Sequence, residues 1–112
     1  MNRGDIWFAD LSPSVGSEIN KRRPVLIVSN NANNRSASTL TVLPITSNVE
    51  KIYPFEVALS MEASGLPKLS KAQAQQIRTI ARERIVGNLI GQLDEKALGL
   101  IDQAIRLHLG LA

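Results

Sequence analysis

The 112-residue sequence contains no cysteine, which excludes disulfides, Cys-ligated zinc and a cysteine nucleophile. It contains one histidine, His108, which excludes His–His acid/base pairs and multi-His metal sites. His108 stands between Leu107 and Leu109 near the chain end and reads as a helix-surface residue. There are four aromatic residues: Trp7, Phe8, Tyr53 and Phe55. The longest aliphatic run, Val25–Leu26–Ile27–Val28, is far short of the ~20 residues a membrane span needs. The N-terminal Met1–Asp5 has no apolar h-region, so no signal peptide is expected, and the expected location is the cytoplasm. Carboxylates do not cluster; the one tight acid pair, Asp94–Glu95, stands at a helix start. There is no GxSxG, no HExxH and no P-loop. Neither a metal site nor a cofactor is expected.

What remains is ordinary globular composition, with 44% hydrophobic and 21% charged residues. The length predicts a single domain over residues 1–112. The net charge is +3, unevenly spread. From Ile19 to Val49 there are four cations (Lys21, Arg22, Arg23, Arg35) and no carboxylate. From Ala63 to Arg84 there are five (Lys68, Lys71, Arg78, Arg82, Arg84) against Glu83 alone. If the two stretches share a face, the matching partner is anionic, nucleic acid first. On charge alone a solvated basic surface is the simpler explanation.

Short apolar runs between turn residues predict strands at Ile6–Leu11, Pro24–Ser29, Thr39–Thr46, Phe55–Leu59, Ala72–Arg78 and Arg84–Leu93. Pro44 argues for an edge or a bulge in the third. Gly87 and Gly91 argue for bulges in the last. Ser12–Arg23 and Ser60–Leu69 read as loops, and Asn30–Ser38 as a turn or one helical turn. Asp94 is a plausible N-cap, and Leu98, Ile101, Ile105 and Leu109 form an amphipathic stripe that Gly110 can end. Leu100, Ala104, Leu107 and Leu111 widen that stripe, for a second subunit or for a helix sunk deep in its own core. The picture is an α+β, mainly β domain: a small bent sheet or partly open barrel with a C-terminal helix.

One chemistry needs neither metal, cysteine nor several histidines. It is cleavage of RNA by its own 2′-hydroxyl. The protein must align that oxygen with the phosphorus, stabilise the phosphorane-like charge and handle two protons. Arg23, with Glu18, Thr46 and Ser47, has the functional groups for this.

Several strings, read together, resemble the MazF/PemK family of toxin ribonucleases. They are Arg3–Gly4–Asp5–Ile6–Trp7–Phe8–Ala9–Asp10–Leu11 with Ser12–Pro13; Gly16–Ser17–Glu18 with Arg23–Pro24–Val25–Leu26–Ile27–Val28–Ser29–Asn30; Pro44–Ile45–Thr46–Ser47; Tyr53–Pro54–Phe55–Glu56–Val57; and Gln76–Ile77–Arg78–Thr79–Ile80. Each is weak alone, but their order and spacing hold from residue 3 to about 93. The resemblance implies a small SH3-like barrel of the CcdB/PemK kind with helical additions, acting as a homodimer. It implies a metal-independent endoribonuclease that cuts single-stranded RNA, often mRNA, leaving 2′,3′-cyclic phosphate or 3′-phosphate and 5′-hydroxyl ends. It also implies a MazE-like antitoxin, with operator DNA reached only through that antitoxin, and no membrane.

Residue by residue, the family's catalytic arginine falls on Arg23 and its catalytic threonine on Thr46. Glu18 matches the acidic loop position, as a general base or as a partner orienting Arg23. Lys21, Arg22 and Ser47 are implied phosphate contacts, and Arg78 can line the groove. The bland alternatives are a surface residue in an RRP turn for Arg23, a β-propensity strand residue for Thr46, a solvated loop carboxylate for Glu18, strand-end capping for Ser47 and a structural ion pair for Arg78. Many relatives carry a carboxylate where this chain has Gln75. Gln cannot take a proton, but its amide can donate and accept hydrogen bonds to RNA. Two other functions share this fold class: a CcdB-like gyrase poison and a non-catalytic SH3-like RNA binder. The chain's C-terminus lacks the aromatic residues of the first, and retention of both Arg23 and Thr46 argues against the second.

Overall fold

Among the described residues, the alternating and β-branched runs form seven strands in one antiparallel sheet, one more than the six the sequence suggests. The computed structural model describes residues 1–13, 15–18 and 21–112. The strands are β1 (Asp5–Asp10), β2 (Arg22–Ile27), β3 (Thr39–Thr46), β4 (Glu56–Leu59), β5 (Ser70–Gln73), β6 (Arg78–Ala81) and β7 (Ile85–Gln92). The helices are α1 (Asn31–Ser36), α2 (Met61–Ser64) and α3 (Glu95–Leu109). The strand order is β4-β5-β3-β2-β1-β7, with β6 also paired to β3. Residues 14, 19 and 20 of the loop between β1 and β2 lie outside the described residues.

Three sequence expectations change. The Ala72–Arg78 run is not one strand: a 3-10 turn at Ala74–Gln76 splits it into β5 and β6. The split lets β6 pair with Thr39–Val42 of β3, while β5 pairs with Ile45–Thr46. Pro44 falls in the gap between the two, where a missing N–H breaks no bond to either partner. It therefore sits fully buried in a central strand, not at an edge. The predicted loop at Ser60–Leu69 contains α2, capped by the Ser60 hydroxyl, which accepts from the Ala63 N–H. Gly65 ends α2 at φ 76° and meets β7 closely: a Cβ there would lie 2.4 Å from the Ile90 carbonyl oxygen. The irregularity expected in β7 is present, as a register shift against β1 between Ile6 and Phe8.

Alternation divides the sheet's side chains between two faces. Ile6, Leu26, Leu43, Ile45 and Ala72 point to one, where they join Leu59, Leu66, Leu93, Ile101 and Ala104 in the larger core. The opposite face carries Ala9, Val25, Ile27, Leu40, Val42 and Ile80, with Trp7 and Ile85 alongside. Helix α3 starts at Asp94, whose carboxylate accepts from the Ala97 N–H, and ends at Gly110 in the left-handed region. It closes over the larger core through Ile101 and Ala104, and an ion pair between Arg3 and Asp102 ties it to the N-terminal segment. Leu109 does not continue the buried stripe, because the helix is exposed from Arg106 onward and offers it no wall. Of the surplus apolar residues, Ala104 is buried, and Leu100, Leu107 and Leu111 are exposed.

Candidate active site

Register places the candidate catalytic pair side by side. Ala9 of β1 pairs with Arg23 of β2, and Val25 of β2 pairs with Pro44 of β3. Continuing that register by two residues sets Arg23 opposite Thr46. On the far side, Thr46 pairs with Lys71 of β5, and Lys71 with Ala58 of β4. Arg23, Thr46 and Lys71 thus form one cross-strand row on the face opposite α3, with neighbouring strands ~4.8 Å apart. The Thr46 hydroxyl oxygen accepts from the Asn48 N–H at 3.2 Å, which leaves its own proton to donate. Arg23 is half-buried, and its Nε is buried without a partner among the described residues.

A cavity of about 190 Å³ opens at this end of the sheet. Arg22, Arg23, Thr46, Ser47 and Lys68 border it, and Phe8, Pro24, Ile45, Leu66, Pro67 and Ser70 line the rest, so it opens mainly on the Phe8 side of the sheet. The two basic stretches of the sequence therefore meet here, through Arg22 and Arg23 from the first and Lys68 from the second. Alternation turns the Arg22 side chain to the Phe8 side of β2, away from Arg23.

Beside Thr46 lies a polar cluster that the sequence reading missed. Glu56 of β4 is buried, and all its partners are donors. Its Oε1 accepts from the Tyr53 N–H at 3.0 Å and from Lys71 Nζ at 2.9 Å. Its Oε2 accepts from Gln73 Nε2 at 3.0 Å and Gln75 Nε2 at 2.6 Å. Burial pushes the Glu56 carboxyl up, but the hydrogen bonds from the Tyr53 N–H, Gln75, Lys71 and Gln73 outweigh it and hold it at about 2. Lys71 also donates to the Lys51 carbonyl at 2.6 Å. The signal in the sequence is the matched parity of Glu56 and Ala58 with Lys71 and Gln73, which means something only once β4 is paired with β5.

The other expected site residues are dispersed. Glu18 is exposed, and its carboxylate accepts from the Val15 N–H at 2.7 Å within its own loop, outside the cavity. Lys21 is exposed at φ 68°, with its N–H donating to Ser12 Oγ. Gln75 is committed to Glu56. Arg78 is half-buried with Nη1 unpartnered. Gln76 holds the β1–β2 loop to the 3-10 turn by donating to the Ser17 carbonyl at 3.4 Å. Arg82 and Arg84 are used structurally, donating to the Asn34 and Ala37 carbonyls and to those of Asp10 and Ser12. Tyr53 and Phe55 stack on each other at 5.5 Å, with the exposed His108 ring 6.1 Å from Phe55.

Residues 2–109 match the family model described as PemK-like, MazF-like toxin of type II toxin-antitoxin system. This chain belongs to that family. The family match spans every motif from Arg3 to Ile80. Among curated relatives, Endoribonuclease MazF9 of Mycobacterium tuberculosis is 47% identical, over 99% of this chain and 98% of its own length. Endoribonuclease EndoA of Bacillus subtilis is 38% identical, over 99% and 96%. Among solved structures, MazF from Deinococcus radiodurans superposes with a TM-score of 0.84 at 25% identity, over 99% of this chain and 97% of that one. A mycobacterial endoribonuclease in complex with its cognate antitoxin superposes at 0.80 and 26% identity, over 100% and 97%. The sheet with its C-terminal helix is the CcdB/PemK-like fold of these MazF toxins. Among the described residues, no helix is long and apolar enough to cross a membrane.

Proposed function

We propose that this toxin is a metal-independent endoribonuclease that cuts single-stranded RNA, mRNA foremost, in the cytoplasm. The observation that carries the reading is the pairing of Arg23 with Thr46 on one sheet face, each with a donor left free. Curated relatives named as endoribonucleases along the whole chain support it. The RNA 2′-oxygen forms a bond to phosphorus as the bond from phosphorus to the 5′-oxygen breaks. The products are a 2′,3′-cyclic phosphate, open to hydrolysis to a 3′-phosphate, and a 5′-hydroxyl.

Arg23 meets the charge that builds on the phosphoryl oxygens. Thr46 donates its free hydroxyl proton to the same phosphate and fixes its position. Glu56 is not the base: donors occupy both its oxygens, and at about 2 its affinity for a proton is too low. Gln75 cannot be the base either. Glu18, the one carboxylate of the β1–β2 loop, is held within that loop outside the cavity, so the proton from the 2′-oxygen passes to water and the leaving 5′-oxygen takes one from water. Lys21, Arg22, Ser47 and Arg78 add phosphate affinity rather than sequence choice. We further propose that the toxin works as a homodimer through the exposed apolar arc of α3, and that a MazE-like antitoxin neutralises it.

The test is digestion of a long unstructured RNA in EDTA by wild type and by Arg23→Ala, with the cut sites and end groups mapped. Cuts at a short motif with cyclic or 3′-phosphate ends, absent with the variant, support the reading. Intact RNA at high enzyme concentration, or equal cutting by both proteins, overturns it.

A further inference from the structure

We propose that Gln73 and Gln75, oriented by Glu56, form a pair of hydrogen-bond acceptors that selects an RNA base bearing an exocyclic amino group. This rests on the endoribonuclease reading and adds which chemical group of the substrate the site distinguishes.

The argument starts from the carboxylate. Glu56 faces the Lys71 ammonium at 2.9 Å and a backbone N–H at 3.0 Å, so it stands as an anion and only accepts. An amide beside it must present its NH₂ end. Gln73 and Gln75 both do so, on the same oxygen of Glu56. Neither amide is then free to flip, and both must turn their carbonyl oxygens away from the carboxylate. Those two oxygens, Gln73 Oε1 and Gln75 Oε1, are buried and meet no donor among the described residues. Both oxygens are covered although their residues are only half-buried, so a base reaches them when the side chains over them move aside.

The position matters as much as the chemistry. Gln73 pairs with Glu56 across β4 and β5, two residues along β5 from Lys71, the neighbour of Thr46. Among the described residues, the other buried side-chain polar atoms without partners are Trp7 Nε1, Arg23 Nε and Arg78 Nη1. Trp7, Arg23 and Arg78 lie on this same face by register. Along β3, Arg23 stands level with Thr46, Gln73 with Pro44 and Arg78 with Val42, so the face holds two kinds of unmet group: the donors of the arginines and, between them, the acceptors of the glutamines. A phosphate offers acceptors only and suits the first. A base amino group offers donors and suits the second. A metal cation does not suit it, because the Lys71 ammonium stands beside the same carboxylate. Uracil has no exocyclic amine, whereas adenine, cytosine and guanine each have one.

The experiment uses the cut motif found by RNA mapping. Synthetic substrates replace, one position at a time, adenine by purine, cytosine by 2-pyrimidinone, or guanine by hypoxanthine, so that only the amino group is lost. Each is cleaved by wild type and by Gln73→Met, Gln75→Met and Glu56→Gln, with folding checked by circular dichroism. At one or more positions, wild type should lose about tenfold or more in kcat/KM when the amine is removed. In the folded variants that ratio should fall towards one, because the acceptors are gone or free to flip. Glu56→Gln touches no substrate in this scheme; a purely structural role would lower all rates together and leave the ratio intact. Cleavage with no amine dependence at any position, a motif of uracil alone, or an undiminished ratio in a folded Gln75→Met overturns this inference and leaves the endoribonuclease reading standing. No cleavage of any RNA overturns both.

Discussion

Alternate residues of the same strands build both faces of the sheet, yet the two faces differ in kind. On the face under α3, Ile6, Leu26, Leu43 and Ile45 are almost completely buried among other apolar side chains. On the opposite face, apolar residues such as Val25 and Val42 give way towards β4 and the ends of β2 and β3 to Arg23, Thr46, Lys71, Gln73 and Glu56. Among the described residues, buried unpartnered side-chain polar atoms belong to Trp7, Arg23, Gln73 and Arg78, all of this second face, and to Gln75, held to it through Glu56. A buried donor or acceptor without a partner costs about 1–3 kcal/mol, so five of them on one face are a local sacrifice of stability. One face holds the chain together; the other keeps hydrogen-bonding capacity for something outside it.

This contrast can be broken from either side. The largest effect expected is functional: Arg23→Ala should lower RNA cleavage by about a hundred- to a thousandfold with little change in melting temperature. A variant that melts much lower would place Arg23 with the supporting residues instead. On the apolar face the signs reverse. Leu43→Ala should cost about 3 kcal/mol in urea unfolding, while the residual folded protein keeps its cleavage rate.

The Glu56 cluster sharpens the boundary between the two. Its carboxyl is held at about 2 in the folded chain against an ordinary 4.5. Its contribution to stability is therefore complete above about pH 4.5 and is lost as pH falls towards 2, in total about 3 kcal/mol. Stability measured between pH 6 and pH 2 should show this acid loss in wild type and a smaller one in Glu56→Gln. The smallest effect lies far from the site. Asp94→Ala removes the cap of α3 and should cost about 1 kcal/mol with no change in cleavage.

Some of this was legible in the chain and some was not. β3 begins and ends where its β-branched run does, and α3 begins at its Asp94 cap and ends at Gly110. Local chemistry decides these, because caps, turn glycines and β-branched runs act within a few residues. The family strings marked Arg23 and Thr46, and register sets the two side by side. The break between β5 and β6 was not legible, because both strands share β3 and the gap at Pro44 exists only once they are paired. Nor was the role of Glu56. In sequence it is 15 residues from Lys71 and 19 from Gln75, and nothing local links them.

The sequence by itself therefore determined the local elements, the family and the residue types that chemistry needs. The tertiary structure alone decided which of them meet. It left Glu18 in its own loop, spent Arg82 and Arg84 on backbone carbonyls, and gathered Glu56, Lys71, Gln73 and Gln75 beside Thr46. The physical reason is that side-chain direction in a sheet follows from alternation, which is local, while neighbours follow from register, which is not.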